Sequence, residues 1–136
     1  MIGVVIVAHG QLADAFKEAT ELIMDAQEGF IAVSVGAQDK ADLASEALQK
    51  AIRQADQGDG VLILTDMFGG TPSNLSYSFL EEGRIEVLSG VNLPVLIQAV
   101  NMREKMKLNE LAANLEAFGK KSISLASGIL KGNKRS

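Results

Sequence analysis

Met1-Ile-Gly-Val-Val-Ile-Val-Ala-His9-Gly10 opens the chain. The run is apolar and largely β-branched, shows no polar alternation, and stops at the only histidine in the protein. A short uninterrupted apolar run of this kind reads as a strand covered on both faces. His9 then ends a central strand, and in open α/β sheets ligands bind outside the carboxyl ends of the strands. A second stretch answers it: Val61-Leu-Ile-Leu-Thr65-Asp66-Met-Phe-Gly69-Gly70-Thr71-Pro72-Ser73-Asn74. It too is an apolar strand ending in a polar residue, here followed by a glycine pair and a helix start. The functional reading rests on these two strand ends meeting.

Strands and helices alternate along the rest of the chain. Leu12, Ala13, Phe16, Ala19, Leu22, Ile23 and Ala26 recur at helical spacing, which predicts an amphipathic helix over residues 11–27 with those side chains inward. Residues 30–35 are a second strand. Asp39 is placed to cap a helix that presents Leu43, Ala44, Ala47, Leu48, Ala51 and Ile52 up to about residue 55. Residues 61–65 are the third strand. Thr71 can cap the following short helix, with Pro72 at its first position and its end before Gly83. Residues 84–89 form a fourth strand, and a loop leads to a helix at Pro94. A polar break over residues 102–107 precedes a last helix, stopped at Gly119. Residues 121–125 alternate and read as an exposed or edge strand.

Alternating strands and helices give an α/β fold in three layers, a mainly parallel sheet with helices on both faces. Right-handed crossovers and the common small-domain topology give strand order 2-1-3-4. In that order the first and third strands are neighbours about 4.8 Å apart, and the winding reverses between them. His9 and Asp66 therefore meet at the switch point.

A length of 136 residues and a 47% hydrophobic content are expected to make one domain over residues 1–126. The tail, residues 127–136, is polar and basic and is expected to be disordered. No window stays apolar for the roughly 20 residues of a membrane helix. The opening run has no basic residue before it, unlike a signal peptide. A cytoplasmic location is expected. The absence of cysteine excludes disulfides and thiolate metal sites, and a single histidine excludes a multi-histidine zinc site within one chain. A net charge of −4 and 4% aromatics argue against a nucleic-acid partner. No cofactor is expected.

Each candidate residue has a plain structural reading beside the chemical one. The plain reading of His9 is a histidine satisfied by its neighbours, and that of Asp66 a turn or cap residue. Together they point to a carboxylate fixing one imidazole nitrogen and leaving the other as a nucleophile. Gly69 and Gly70 suit a bare strand-to-helix turn. They also let backbone approach a ligand, with the N–H groups at a helix start favouring an anion. Thr71, Ser73 and Asn74 add polar donors, and a phosphoryl group suits that set. Gly10, just after His9, and Asn92, in the loop after the fourth strand, are secondary positions. No Walker A or dinucleotide glycine pattern is present. Ala8 stands where a histidine phosphatase carries arginine, and no cationic clamp lies near the site in sequence. Neutral donors alone favour transient phosphorylation over tight binding of a phosphorylated metabolite.

Val5-Ile-Val-Ala-His9-Gly10, Thr65 to Asn74, and Leu88-Ser-Gly-Val-Asn-Leu-Pro94 resemble the signature stretches of one family. It is the mannose-family enzyme IIA component of the bacterial phosphoenolpyruvate-dependent sugar phosphotransferase system. The resemblance implies that His9 receives a phosphoryl group from the carrier protein HPr and passes it to a IIB component. It implies that Asp66 orients the imidazole, and that the backbone around Gly69, Gly70 and Thr71, with Ser73 and Asn74, lines the phosphoryl site. It further implies a homodimer exchanging a C-terminal strand, here residues 121–125. IIB is expected as a separate protein, and the membrane is reached only through IIC and IID. Such proteins act with mannose, fructose, sorbose and related sugars. Two alternatives stand beside this reading: a regulatory module whose His9 phosphorylation is read by a partner without sugar transport, and a small-molecule-binding domain with no covalent step.

Overall fold

The computed structural model describes residues 1–131. Its elements are β1 (Gly3–His9), α1 (Leu12–Met24), β2 (Phe30–Val35), α2 (Ala41–Ala55), β3 (Val61–Thr65), α3 (Thr71–Tyr77), β4 (Ile85–Ser89), α4 (Leu93–Met102), α5 (Leu108–Lys121) and α6 (Ala126–Leu130). The four strands pair in order β2-β1-β3-β4, and every pair is parallel. The order is the expected one, with the winding reversing between β1 and β3.

Period-two alternation splits the strands between two cores. Val4, Ile6 and Ala8 of β1 and Leu62 and Leu64 of β3 pack with Ala13 of α1, Leu96 and Ala99 of α4, and Leu111 and Leu115 of α5. Val5, Val7, Val61 and Ile63 face the other way, onto Leu48, Ala51, Ile52 and Ala55 of α2 and Leu75 of α3. Every residue of β1 before His9 is buried, each side chain beyond glycine and alanine contributing about 1.5–3 kcal/mol through lost apolar exposure. β4 is half-buried along its whole length, as an edge strand.

The helices depart from the sequence expectations in ways that packing explains. α1 stops at Met24, where Asp25 turns the chain with φ 69°. Its buried residues are Ala13 and Thr20, with Phe16 packed against the core between them. Leu22 and Ile23, expected inward, are 85% and 56% exposed. The apolar set was wider than one helix face, and only one edge of it meets the sheet. Asp39 does not cap α2, because Lys40 occupies the cap position. The Asp39 carboxylate instead closes the preceding turn on the Gly36 N–H at 2.6 Å. Thr71 is the first residue of α3 rather than its cap, and Gly70 holds that place.

The largest correction is at the C-terminal end. Residues 121–125 form no strand, and α5 runs through Gly119 to Lys121. Gly119 is a packing residue, not a stop: a Cβ there would lie 3.0 Å from Cγ2 of Val95 in α4. The helix contact outweighs glycine's weak helix propensity, about 1 kcal/mol against alanine. A strand also needs a neighbour to pair with, and residues 122–125 pair with none of the four strands. Ile123 and Leu125 are 82% and 74% exposed. The tail boundary expected after residue 126 falls inside α6, while residues 132–136 lie outside the described residues. Arg103, in the expected polar break, is 2% exposed. Its guanidinium donates to the carbonyls of Gly29 and Glu28 and to the Gln27 side chain, tying the end of α4 to the turn before β2.

Candidate functional site

His9 is the last residue of β1 and lies opposite Val35 of β2. β3 ends two positions earlier, with Thr65 opposite Val7. Thr65 is anchored to the end of β4: its carbonyl accepts N–H groups from Gly90 and Val91, both at 3.0 Å, and its hydroxyl donates to Ser89 Oγ at 2.8 Å. The backbone that carries Asp66 is therefore held on both sides. Thr65 and Ser89 mark the ends of the third and fourth strands in the sequence but are not among its candidate site residues. Their pairing is visible only once the strands are in register.

Asp66 Oδ2 lies 2.7 Å from His9 Nδ1 and accepts the His9 backbone N–H at 2.9 Å. Its other oxygen accepts the Met67 N–H at 2.9 Å. The Asp66 side chain is 11% exposed and the His9 side chain 49%. Burial pushes the Asp66 carboxyl up. The hydrogen bonds from the His9 N–H and ring, the imidazole charge and the Met67 N–H outweigh it, so the group stays below its ordinary value. An ionised carboxylate only accepts, so Nδ1 carries the proton. In the neutral ring Nε2 is left with a lone pair.

The loop after Asp66 shapes the other wall. A Cβ at Gly70 would lie 2.7 Å from His9 Cε1 and 3.1 Å from Nε2, so the ring rests against a backbone that only glycine allows. Gly69 has φ 88°, in the left-handed region. Ser73 is fully buried. Its hydroxyl accepts the Gly69 N–H and donates to the Gly70 carbonyl, each at 3.0 Å, so it holds the loop from inside instead of facing the ring. Among the described residues the N–H groups of Gly70 and Thr71 have no hydrogen-bond partner. Thr71 and Asn74 are exposed. Gly10 donates its N–H to the Val35 carbonyl at 2.9 Å. It lines, with His9 and Thr71, a cavity of about 350 Å³.

Asn92 is not part of that cavity. Its Oδ1 accepts the Val95 N–H at 2.9 Å as the cap of α4, and its amide donates to Ser122 Oγ at 2.8 Å. It borders a groove beside β4 and α5. The sequence reading also missed Tyr77, whose hydroxyl lies 3.3 Å from Ser89 Oγ and whose ring lies 5.9 Å from that of Phe68. A larger cavity, about 850 Å³ around Gly60, Gly83 and Arg103, contains neither His9 nor Asp66. No cluster of three metal-ligating side chains occurs among the described residues.

The chain is similar to known proteins over most of its length. Residues 3–116 match the EIIA-man family, described as the PTS system fructose IIA component. The chain belongs to that family. It is 34% identical over 132 residues to the fructose-specific EIIA component of Bacillus subtilis, covering 96% of this chain and 90% of that protein. The crystal structure of a phosphotransferase system EIIA component from Streptococcus agalactiae superposes with a TM-score of 0.85 at 31% identity, covering 94% of this chain and 99% of that one. The mannose-specific EIIAB component of Escherichia coli is 27% identical, covering 90% of this chain and 38% of that longer protein. As an EIIA-man member the chain is a phosphotransferase-system protein, a phosphoryl carrier in sugar uptake. No helix among the described residues is long and apolar enough to cross a membrane.

Proposed function

We propose that His9 is the phosphoryl carrier, that Nε2 is the atom that bears the group, and that the donor is phosphorylated HPr and the acceptor a IIB component. The observation that carries this is the 2.7 Å contact between Asp66 and Nδ1, which leaves Nε2 as the lone-pair nitrogen. The Nε2 lone pair attacks phosphorus, the bond between phosphorus and the donor's own phosphorylated residue breaks, and its electron pair stays with that residue. No proton moves. The His9 ring becomes cationic, and the Asp66 carboxylate offsets that charge. The unpartnered N–H groups of Gly70 and Thr71 are placed to meet the phosphoryl oxygens, with the Thr71 hydroxyl and Asn74 amide beside them. Ser73 and the Gly69 turn act by holding that backbone. Onward transfer to IIB breaks the Nε2–P bond, and its electron pair stays with His9.

The working unit in this reading is a cytoplasmic homodimer. The free edge of β4 and the exposed Ile123 and Leu125 support it: residues 121–125 of one protomer add to β4 of its partner. The test of the carrier role is incubation with phosphoenolpyruvate, enzyme I and HPr, followed by intact-mass and peptide mass spectrometry. One acid-labile phosphoryl group on His9 is expected, absent from His9→Ala. Label on serine, threonine or aspartate overturns the assignment.

A further inference from the structure

Tyr77 does not line the cavity beside His9, yet its contacts reach the segment that carries Asp66. It sits in the last turn of α3 and is half-buried. Its hydroxyl lies 3.3 Å from Ser89 Oγ, and that same oxygen accepts the Thr65 hydroxyl at 2.8 Å. Thr65 is fully buried and directly precedes Asp66. The Tyr77 ring also lies 5.9 Å from the Phe68 ring, tilted by 45°, within the range that aromatic pairs prefer. Phe68 comes just after Met67 in the loop that follows Asp66, and it is 77% exposed.

Tyr77 thus meets what stands on both flanks of Asp66. Met67, Phe68 and Gly69 are exposed, so packing against the core does not hold this loop. Ser73 fixes its far end at Gly69 and Gly70. At the Asp66 end, beyond the contacts with His9, the bracing side chains are Ser89, against Thr65, and Tyr77, against both Ser89 and Phe68. A reacting group keeps its place only if the residues carrying it are held by packing and further hydrogen bonds. The 2.7 Å contact from Asp66 to Nδ1 is what leaves Nε2 with its lone pair. Slack in the segment therefore acts on the nucleophile itself.

Resting on the carrier role of His9, we propose that Tyr77 is a positioning residue for phosphoryl transfer. It acts through Ser89 and Phe68 to hold the segment that carries Asp66, and so keeps the His9 ring in the tautomer with Nε2 unprotonated. Its effect is on the alignment of the ring and not on capture of the donor.

Tyr77→Leu removes ring and hydroxyl, Tyr77→Phe removes the hydroxyl alone, and Ser89→Ala cuts the link to Thr65. Nitrogen NMR signals of the His9 ring, recorded above neutral pH with no phosphoryl donor present, read the tautomer. Wild type is expected to show the Nδ1–H form, and Tyr77→Leu a mixture of both forms. Phosphorylation of His9 is followed with phosphorylated HPr and separately with phosphoramidate, a small donor with no docking surface. At saturating phosphorylated HPr the rate is expected to fall about tenfold in Tyr77→Leu, as for a slight misplacement of a reacting group, and less in Tyr77→Phe and Ser89→Ala. The half-saturating concentration is expected to stay the same, and the phosphoramidate rate to fall in parallel. Ser89→Thr, which keeps the hydroxyl, is expected to keep the wild-type rate. A merely structural residue would lower Tm without moving the tautomer. If Tyr77→Leu does not fold, the two milder variants decide by the same readouts. Wild-type rate and tautomer in the folded variants overturn the proposal. So does a loss confined to the half-saturating concentration with phosphoramidate unaffected, which would place Tyr77 in donor docking. Wild-type protein that neither donor labels at His9 would instead overturn the carrier role beneath it, whatever tautomer the ring shows.

Discussion

One carboxylate oxygen of Asp66 serves His9 twice, at 2.7 Å from ring Nδ1 and 2.9 Å from the backbone nitrogen. The double contact fixes the histidine's tautomer and its position together. The ring and the strand end that carries it cannot move independently of the carboxylate.

Asp66→Asn is expected to keep the fold and slow phosphorylation of His9 by about 2–4 orders of magnitude, as for other orienting aspartates. The amide can hold the wrong tautomer and cannot offset a cationic ring. Transfer kinetics with phosphorylated HPr check this, with circular dichroism as the fold control. Wild-type rates in the variant remove Asp66 from the mechanism.

The Asp66 carboxyl is held below its ordinary value, so the folded protein binds its proton less readily than the unfolded chain does. The stabilisation this brings is fully present above the unfolded value of about 3.9. It is lost as pH falls through the folded one. The stability difference between wild type and Asp66→Asn should therefore be constant near neutral pH and shift against the wild type below about pH 4. Urea titrations from pH 7 downward measure it. A difference that does not change with pH contradicts the ionised carboxylate.

Gly70→Ala puts a methyl group 2.7 Å from His9 Cε1. The imidazole has to swing away, since the loop is fixed by Ser73. His9 labelling is expected to drop by at least tenfold, with a stability loss of about 1–3 kcal/mol, the usual range for overpacking. A variant that labels at the wild-type rate shows that the ring does not rest on Gly70 in solution.

Removal of residues 123–136 takes away Ile123 and Leu125 while leaving α5 whole. Full-length protein is expected to sediment as a dimer at micromolar concentration, and the truncated protein as a monomer whose His9 still accepts phosphoryl from phosphoramidate. A monomeric full-length protein removes strand exchange and leaves the phosphohistidine untouched.

Much of this molecule is legible in the amino-acid sequence, because the relevant forces are local or topological. Apolar β-branched runs ending at His9 and Thr65 define strands, and the right-handed crossover rule then orders them, bringing His9 and Asp66 together without any contact being known. Roles that depend on which neighbour reaches a group first were not legible. Ser73 looked like a phosphoryl donor but spends its hydroxyl on Gly69 and Gly70. Asn92 looked like part of the site but caps α4. Gly119 looked like a stop but makes room for Val95. Residues 121–125 alternate like a strand, and alternation states only a preference for pairing. Whether a strand forms depends on an edge being within reach, which is a property of the folded assembly and not of the segment.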